Sequence, residues 1–217
     1  MNTAQMSHWR GEFGREYTER NSVTLSQLDA LYRRNYGLTR KELNRRFLDD
    51  VPRNARVLEV GCNIGMQLSM LRDLGFHDLY GIEIQHDALK QAMSRVAEIL
   101  VAEASALEIP FANRSFDLVF TSGVLIHIAP DDLQRVMYEI YRCSKRFIWG
   151  FEYHSPEPVE IAYRGKRDLL WKMNYAQAFL DEHEDLRLMR CEHLSYIDNP
   201  NTDCMFLLEK GKSISNS

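Results

Sequence analysis

The chain has 217 residues, 45% hydrophobic and 27% charged, enough for one α/β domain with its own core. Its formal net charge of −4 supplies no global basic field, which argues against nucleic acid as the main partner. Cys62, Cys143, Cys191 and Cys204 form no C-x-x-C pair, so we expect free thiols and no metal site. The polar, aromatic N-terminus and the lack of a long apolar run predict a soluble, cytoplasmic protein without a membrane span.

Apolar runs alternate with helical patterns over residues 57–150, an order typical of a parallel sheet with flanking helices. Helices are predicted at 66–74, 89–96 and 131–143, where apolar positions recur every three or four residues. Two further runs flank the turn-rich residues 198–202 and predict an antiparallel hairpin. The seven predicted strands are 57–60, 79–84, 99–102, 116–120, 146–150, 186–197 and 204–209.

Two segments lie outside the strands and helices of this predicted core: residues 1–50, which precede the predicted domain of residues 51–210, and an insertion within that domain. Residues 1–50 have helical periodicity, with Trp9, Phe13 and Tyr17 at four-residue spacing on one predicted helix, either packed on the core or acting as a lid. Residues 151–180 form a long insertion with six aromatic residues. Long connections at the carboxyl edge of a parallel sheet often build substrate sites, so we expect the substrate pocket between these segments. Residues 211–217 are predicted to be disordered.

The first strand is followed by a glycine-bearing turn. The run Val57-Leu58-Glu59-Val60 ends at Gly61-Cys62-Asn63-Ile64-Gly65, and an acidic residue, Glu83, ends the next apolar run. A buried strand, a tight turn and a carboxylate about 20 residues on are typical of a pocket for a ribose-bearing cofactor. Asn63 and Met66 stand where a dinucleotide motif needs glycines, which weighs against a nicotinamide oxidoreductase.

The same turn resembles motif I of class I S-adenosylmethionine-dependent methyltransferases. Residues 106–111, Ala-Leu-Glu-Ile-Pro-Phe, and residues 115–120, Ser-Phe-Asp-Leu-Val-Phe, resemble the later cofactor motifs of that family. The resemblance covers about residues 55–150. It implies a Rossmann-like α/β fold with a seven-stranded, mostly parallel sheet and a C-terminal antiparallel hairpin. It also implies S-adenosylmethionine as the cofactor and S-adenosylhomocysteine as the product.

A narrower resemblance extends over most of the chain. Residues 9–17 (Trp-Arg-Gly-Glu-Phe-Gly-Arg-Glu-Tyr), residues 19–21, residues 155–161 and residues 163–165 resemble methylases associated with pseudaminic acid biosynthesis. This resemblance implies a small-molecule acceptor.

The class I resemblance implies roles for individual residues. Glu59 would lie beneath the amino-acid end of the cofactor, although a buried structural pair is the alternative, and Glu83 would bind the ribose hydroxyls. Ser105 stands where many relatives have an aspartate near the adenine, and Asn63 where they have glycine. The predicted cofactor-binding residues are Tyr17, Glu59, Gly61, Cys62, Asn63, Gly65, Glu83, Ile84, Ser105, Ala106, Leu107, Ser122, Gly123 and Val124.

The acceptor side is less defined by sequence. His127 lies among aliphatic residues, so it is either a core residue or a general base, and His154 is a second candidate base. The predicted substrate-binding residues are Arg20, Asn21, Glu152, Tyr153, Tyr163 and Arg164.

We therefore predict methyl transfer to a small polar acceptor, sugar-like or amino-acid-like, at oxygen or nitrogen. An RNA or protein methyltransferase and a non-catalytic S-adenosylmethionine-binding module are the alternatives. Oligomeric state is not predicted, because the chain has no coiled-coil heptads.

Overall fold

The computed structural model describes residues 3–96 and 98–211. The α-helices within these ranges are α1 (Ala4–Arg10), α2 (Glu12–Asn21), α3 (Leu25–Tyr36), α4 (Arg40–Leu48), α5 (Met66–Asp73), α6 (His86–Arg95), α7 (Pro130–Cys143) and α8 (Tyr175–Glu182). The strands are β1 (Arg56–Val60), β2 (Asp78–Glu83), β3 (Leu100–Glu103), β4 (Phe116–Ser122), β5 (Ser144–Tyr153), β6 (Val159–Glu160), β7 (Trp171–Lys172), β8 (Leu186–Ser195) and β9 (Thr202–Lys210). The predicted tail residues 212–217 lie outside the described residues.

Seven strands form one sheet in the order β3-β2-β1-β4-β5-β9-β8. The first five strands of this order are parallel, whereas β9 pairs antiparallel with both β5 and β8. The predicted seven-stranded sheet with a C-terminal hairpin is therefore confirmed. The strand order reverses beside β1, so the carboxyl ends of β1 and β4 open a crevice in which α/β folds bind their ligands.

Both faces of the sheet are buried. Successive residues of β1 alternate between two apolar clusters: Val57 packs with Phe120 and Trp149, whereas Leu58 packs with Val136 on the opposite face. Parallel strands covered by helices on both sides have this near-continuous apolar sequence. The polar exception in β1 is Glu59, a buried carboxylate in a strand that is otherwise apolar after its first residue.

The N-terminal aromatic stripe lies on two helices, which corrects the prediction of one. Gly11 caps the end of α1 and the start of α2 in an extended conformation (ψ −157°), so the helical hydrogen bonding is interrupted there. Trp9 on α1 still meets Phe13 and Tyr17 on α2, with ring centroids 5.2 and 5.3 Å apart. The four-residue spacing therefore identified rings that meet, but not the break between them.

The predicted insertion at residues 151–180 contains regular structure. It begins with the end of β5, continues through the antiparallel pair of β6 and β7, and ends in α8. Among the described residues, no helix has both the length and the apolar character needed to cross a membrane.

Candidate functional site

A cavity of about 600 Å³ lies at the carboxyl edge of the parallel strands. Its walls come from α1, α2 and α3, from the ends of β1, β2, β4 and β5, and from the turn before β9. This volume is within the usual range for small-molecule and cofactor sites. The cavity therefore lies between the N-terminal helices and the sheet. Tyr163, Arg164 and Leu170 of the insertion also line it, so both segments expected beside the substrate pocket contribute to its wall.

The structure brings nearly all predicted cofactor residues to this cavity. The lining includes Tyr17, Glu59, Gly61, Cys62, Asn63, Glu83, Ile84, Ser105, Ala106, Leu107, Ser122, Gly123 and Val124. It does not include Gly65, which has φ 77° at the start of α5, with the position of a Cβ only 3.3 Å from Ala92 Cβ on α6. Gly65 thus allows close packing between α5 and α6 and does not line the cavity.

Glu83 organises the loops at the end of β1 and β2. Its carboxylate accepts hydrogen bonds from the backbone N–H of Asn63 (2.8 Å), Ile84 (2.7 Å) and Gln85 (2.9 Å). Burial raises the pKa of Glu83, and the three N–H donors oppose this rise by favouring the charged form. The carboxylate is therefore fixed in orientation at the cavity wall, with lone pairs left for further donors such as ribose hydroxyls.

We call the turn at residues 61–65 the cofactor turn. Asn63 connects this turn to the N-terminal helices. Its backbone is left-handed (φ 44°), a conformation that asparagine tolerates better than most residues. The side-chain Nδ2 donates to Thr18 Oγ1 on α2 (2.8 Å), and Thr18 Oγ1 donates to Gln85 Oε1 (3.3 Å). A glycine at position 63 would allow the turn but would lack this link to α2.

Glu59 presents an uncompensated carboxylate oxygen to the cavity. The residue is 3% exposed, and its Oε2 accepts no hydrogen bond from any described residue. Burial raises its pKa well above the usual range, while nearby Arg40 and a hydrogen bond from the Leu68 backbone oppose the rise. A buried oxygen without a donor is costly, so the site fits a ligand that brings a cationic amino group, as the methionine part of S-adenosylmethionine does.

His127 is both buried and part of the cavity wall, so the structure retains both alternatives for it. It is 8% exposed, and its Nδ1 lies 2.7 Å from the carbonyl oxygen of Leu169. Burial lowers its pKa to about 4, so the ring is neutral near pH 7, and Nδ1 carries the proton that it donates to the carbonyl. Its ring packs 4.5 Å from that of Trp9. The Nε2 lone pair is then the basic position of this ring.

The predicted acceptor residues divide into two groups. Arg20, Asn21, Tyr153, Tyr163 and Arg164 line the cavity, whereas Glu152 and His154 do not. Glu152 is 1% exposed, and its oxygens accept from the backbone N–H of Val124 (3.2 Å) and Ile126 (3.4 Å). Its hydrogen bonds therefore hold the loop after β4 in place, and its side chain does not line the cavity.

His154 lies beside the C-terminal hairpin. Its ring is 4.3 Å from that of His193, and ligand-type atoms of His154, His193 and Cys204 all lie within 4.8 Å of one another. This is a group of metal-ligating residue types that sequence spacing did not predict, because β5, β8 and β9 bring it together. His154 therefore lies away from the position of a general base for the cavity.

Sequence reasoning missed one end of the cavity. Tyr32 and Tyr36 on α3, with Tyr196 and Asp203 around the hairpin turn, line it opposite the cofactor turn. The available signal was the aromatic pair at four-residue spacing on α3. Nothing in the sequence paired this helix with the hairpin.

Residues 58–146 match the family model described as a methyltransferase domain. This match covers less than half of the chain. The chain is 28% identical over 97 residues to an uncharacterized protein of Haemophilus influenzae, a match covering 42% of this chain and 38% of that protein. It is 29% identical over 167 residues to a proposed methyltransferase of Encephalitozoon cuniculi, covering 73% and 72%.

The solved structure of 1,6-didemethyltoxoflavin-N1-methyltransferase from Burkholderia thailandensis has a similar fold. Its TM-score is 0.72 at 14% identity, over 94% of this chain and 88% of that chain, and it contains 1,6-didemethyltoxoflavin and S-adenosylhomocysteine. Similar folds also occur in a proposed S-adenosylmethionine-dependent methyltransferase from Listeria monocytogenes (TM-score 0.62, 13% identity, over 78% of this chain and 98% of that chain) and in magnesium protoporphyrin IX methyltransferase from Synechocystis with S-adenosylmethionine bound (TM-score 0.69, 12% identity, over 96% and 98%). The predicted Rossmann-like methyltransferase fold is confirmed, and the matched family model supports the predicted enzyme class and its cofactor.

Proposed function

We propose that this protein transfers a methyl group from S-adenosylmethionine to a small polar acceptor. The observation that carries the proposal is one continuous cavity whose two ends are lined by different kinds of residue. One end has the buried carboxylates of Glu59 and Glu83, and the other has tyrosines and Asp203, with Gly123 and Tyr153 also in the wall. A cavity that extends beyond the cofactor end has room for an acceptor.

S-adenosylmethionine supplies a methyl group on a sulfonium, whose sulfur keeps the bonding electron pair when an acceptor lone pair attacks the methyl carbon. In our proposal Glu59 binds the amino group of the donor and Glu83 its ribose, so the methyl group has a fixed direction. Orientation of this kind supplies much of the rate of a two-reactant step. His127 Nε2 would take the proton that a hydroxyl acceptor loses as its oxygen attacks the methyl carbon.

The N-terminal helices act as a lid in this proposal. Trp9 and Tyr17 line the cavity, and Asn63 bonds to Thr18 of α2 beside the cofactor turn. Closure of such a cover excludes water from the reacting groups. The expected division into a lid at residues 1–50, a methyltransferase domain at residues 51–210 and an acceptor insertion at about residues 151–180 belongs to the same proposal.

The class of acceptor is inferred from two sources. The Burkholderia thailandensis neighbour binds 1,6-didemethyltoxoflavin, and the resemblance to methylases associated with pseudaminic acid biosynthesis favours a sugar-like acceptor. A role in small-molecule biosynthesis and a cytoplasmic location stay predictions.

Two alternatives differ from this proposal in class. An RNA or protein methyltransferase would need a basic surface beside the methyl site, and the net charge of −4 disfavours it. A non-catalytic module would bind S-adenosylmethionine without space for an acceptor, and the cavity wall at Gly123 and Tyr153 disfavours it.

Two measurements test the proposal in sequence. Calorimetry with S-adenosylhomocysteine should give micromolar-range binding to the native protein, and no binding would refute the proposal. Incubation with methyl-labelled S-adenosylmethionine and a metabolite extract of the source organism should then give a labelled product below about 1 kDa. Label found only in RNA or protein would favour the first alternative, and binding without any labelled product would favour the second.

A further inference from the structure

The end of the cavity opposite the cofactor turn is an aromatic pocket around one carboxylate. We name it the Asp203 pocket, and it consists of Tyr32, Tyr36, Phe151, Tyr153, Tyr196 and Asp203, all of which line the cavity. The rings contact one another: Tyr36 lies 4.8 Å from Tyr196 and 5.3 Å from Tyr32 between centroids. The pocket is therefore a connected set of rings contributed by α3, β5 and the hairpin.

Asp203 is deeply buried in this pocket and only half satisfied. It is 1% exposed, and its Oδ2 accepts hydrogen bonds from the hydroxyls of Tyr36 and Tyr196. Its Oδ1 is buried and accepts no hydrogen bond from any described residue. An ionised carboxylate with a free buried oxygen is costly unless a donor or a positive charge reaches it.

Two cations lie over rings of this pocket: Arg40 Cζ is 5.4 Å from the centroid of Tyr32 and 4.3 Å from that of Phe151, and Lys172 Nζ is 5.2 Å from that of Tyr153. Each donates its described hydrogen bonds to residues other than Asp203. Arg40 donates from Nε to Asn44 (2.8 Å) and from Nη1 to the hydroxyl of Tyr32 (2.7 Å). Lys172 Nζ donates to Asn201 Oδ1 (2.5 Å). Within residues 3–96 and 98–211, neither cation is in salt-bridge contact with Asp203. The free oxygen of Asp203 thus has no internal counter-charge in contact.

We propose that the acceptor carries an ammonium group, which Asp203 Oδ1 and the surrounding rings hold in the Asp203 pocket. This inference rests on the proposed methyl transfer and narrows its acceptor from any small polar molecule to an amine-bearing one, such as an amino sugar.

Aromatic faces attract cations, and no cation of the described residues lies over the rings of Tyr36 and Tyr196. An N–H of an ammonium group also supplies the donor that Oδ1 lacks. A neutral hydroxyl would satisfy the hydrogen bond but would add nothing to the partial charge compensation that Lys172 and Arg40 give Asp203. An anionic group placed at Oδ1 would be repelled by the carboxylate.

The pocket also predicts how acceptor binding depends on pH. Burial raises the pKa of Asp203 to about 6, opposed by the hydroxyls of Tyr36 and Tyr196 and by the charges of Lys172 and Arg40. The ammonium group needs the ionised carboxylate. Its binding should therefore be strongest above pH 7 and weaken as the pH falls through about 6.

The test compares molecules of similar shape and different charge. One set is glucosamine, glucose and glucuronate, and the other is benzylamine, benzyl alcohol and benzoate. Binding of each is measured by calorimetry at pH 7.5 to the full chain saturated with S-adenosylhomocysteine. In at least one set the amine should bind about tenfold or more tightly than its neutral and anionic counterparts.

Variants then test which residues cause the tighter binding of the amine. Asp203→Asn should reduce it to less than threefold, whereas Asp198→Asn, an exposed aspartate of the same hairpin, should leave it unchanged. Tyr196→Leu removes a ring over which no cation of the described residues lies, and it should weaken amine binding several-fold. If Asp203→Asn does not fold, as judged by its melting temperature, Tyr196→Leu decides the question.

Each outcome counts for or against one proposal. The ammonium inference is overturned if the amine has no advantage in either set, if no amine binds, or if the advantage survives in a folded Asp203→Asn. Failure of S-adenosylhomocysteine to bind would instead refute the proposed methyl transfer. The two failures are therefore distinguishable.

Discussion

The two ends of the cavity are built in different ways. The cofactor end comes from residues that follow neighbouring parallel strands, with Glu59 in β1, Asn63 just after it and Glu83 ending β2. The other end, the Asp203 pocket, joins Tyr36 on α3 with Asp203 on β9, which are 167 positions apart in sequence. The position of the cofactor end follows from the carboxyl ends of parallel strands, which lie at the same edge of any parallel sheet. The position of the Asp203 pocket depends instead on how α3 packs against the C-terminal hairpin.

The carboxylates at the two ends are also held differently. Glu83 is held by three backbone N–H groups of its own and the neighbouring loop, so its orientation follows from the local chain path. Asp203 is held by two tyrosine hydroxyls from other elements and keeps one oxygen free. Substitutions at the two ends should therefore have separable effects.

The largest expected effect is on cofactor affinity. Glu83→Ala leaves three loop N–H groups without their acceptor and removes the carboxylate that we propose binds the ribose hydroxyls. The affinity for S-adenosylhomocysteine should therefore fall about 100-fold or more. Calorimetry gives the affinity. The control is Glu108→Ala, which removes an exposed acid in the loop after β3, where the Glu108 N–H donates to the carbonyl oxygen of Ser105. Unchanged affinity in folded Glu83→Ala would remove Glu83 from the cofactor site.

The next effect is on the stability of the cofactor turn. Gly61 has φ 74°, and an added Cβ would lie 2.7 Å from Val124 Cγ2. Gly61→Ala should lower the free energy of unfolding by about 3 kcal/mol through backbone strain and overpacking. Gly37 has φ 75° with nothing within 4 Å of an added Cβ, so Gly37→Ala should cost only about 1 kcal/mol. Denaturant unfolding compares the two, and equal losses would show that strain alone acts at Gly61.

Glu152 should make stability depend on pH. Burial raises its pKa from 4.5 to about 7, so the folded state binds more protons than the unfolded state between these values. Its contribution is therefore present below pH 4.5 and is lost as the pH rises through 7.

The free energy of unfolding of the native protein relative to Glu152→Gln should fall by up to ~3 kcal/mol over this range. His127, whose lowered pKa acts in the opposite direction, is common to both proteins and cancels in the difference. Exposed Glu157→Gln is the control. A difference that does not vary with pH would contradict the effect of burial.

The smallest expected effect tests whether the cofactor end and the Asp203 pocket act independently. Asp203→Asn should change the affinity for S-adenosylhomocysteine less than about threefold. Arg40 lies near both Glu59 and Asp203, but among the described residues it is in salt-bridge contact with neither, so the coupling through it should be small. Calorimetry on the same preparation used for amine binding gives this value. A large loss of cofactor affinity would mean that the two ends are coupled and would weaken the comparison drawn above.

Several features were predictable because they depend on neighbours in sequence. The apolar run of β1, the turn at Gly61 and the carboxylate of Glu83 were all found at the cavity, since the pattern of a parallel sheet fixes where strands end. Asn63 was expected to tolerate a left-handed backbone, and its φ of 44° confirms this. Its bond to Thr18 was not predictable, because it joins segments 45 residues apart.

The errors have the same origin. Glu152 and His154 follow Phe151 in sequence, yet only their neighbour Tyr153 lines the cavity together with Phe151. Strand residues alternate faces, so Glu152 and His154 point away from the pocket that Tyr153 faces. The α1–α2 break at Gly11 was missed because Trp9, Phe13 and Tyr17 keep helical spacing across it.

The sequence by itself determined the alternation of strands and helices, the cofactor turn and its acidic partner, because these arise from local periodicity and backbone conformation. The tertiary structure alone decided that α3 meets the C-terminal hairpin around Asp203. That contact joins distant segments through burial and tyrosine hydroxyls, and no local pattern encodes which apolar faces will meet. The methyl donor is thus indicated by short motifs, whereas the Asp203 pocket exists only once the chain has folded.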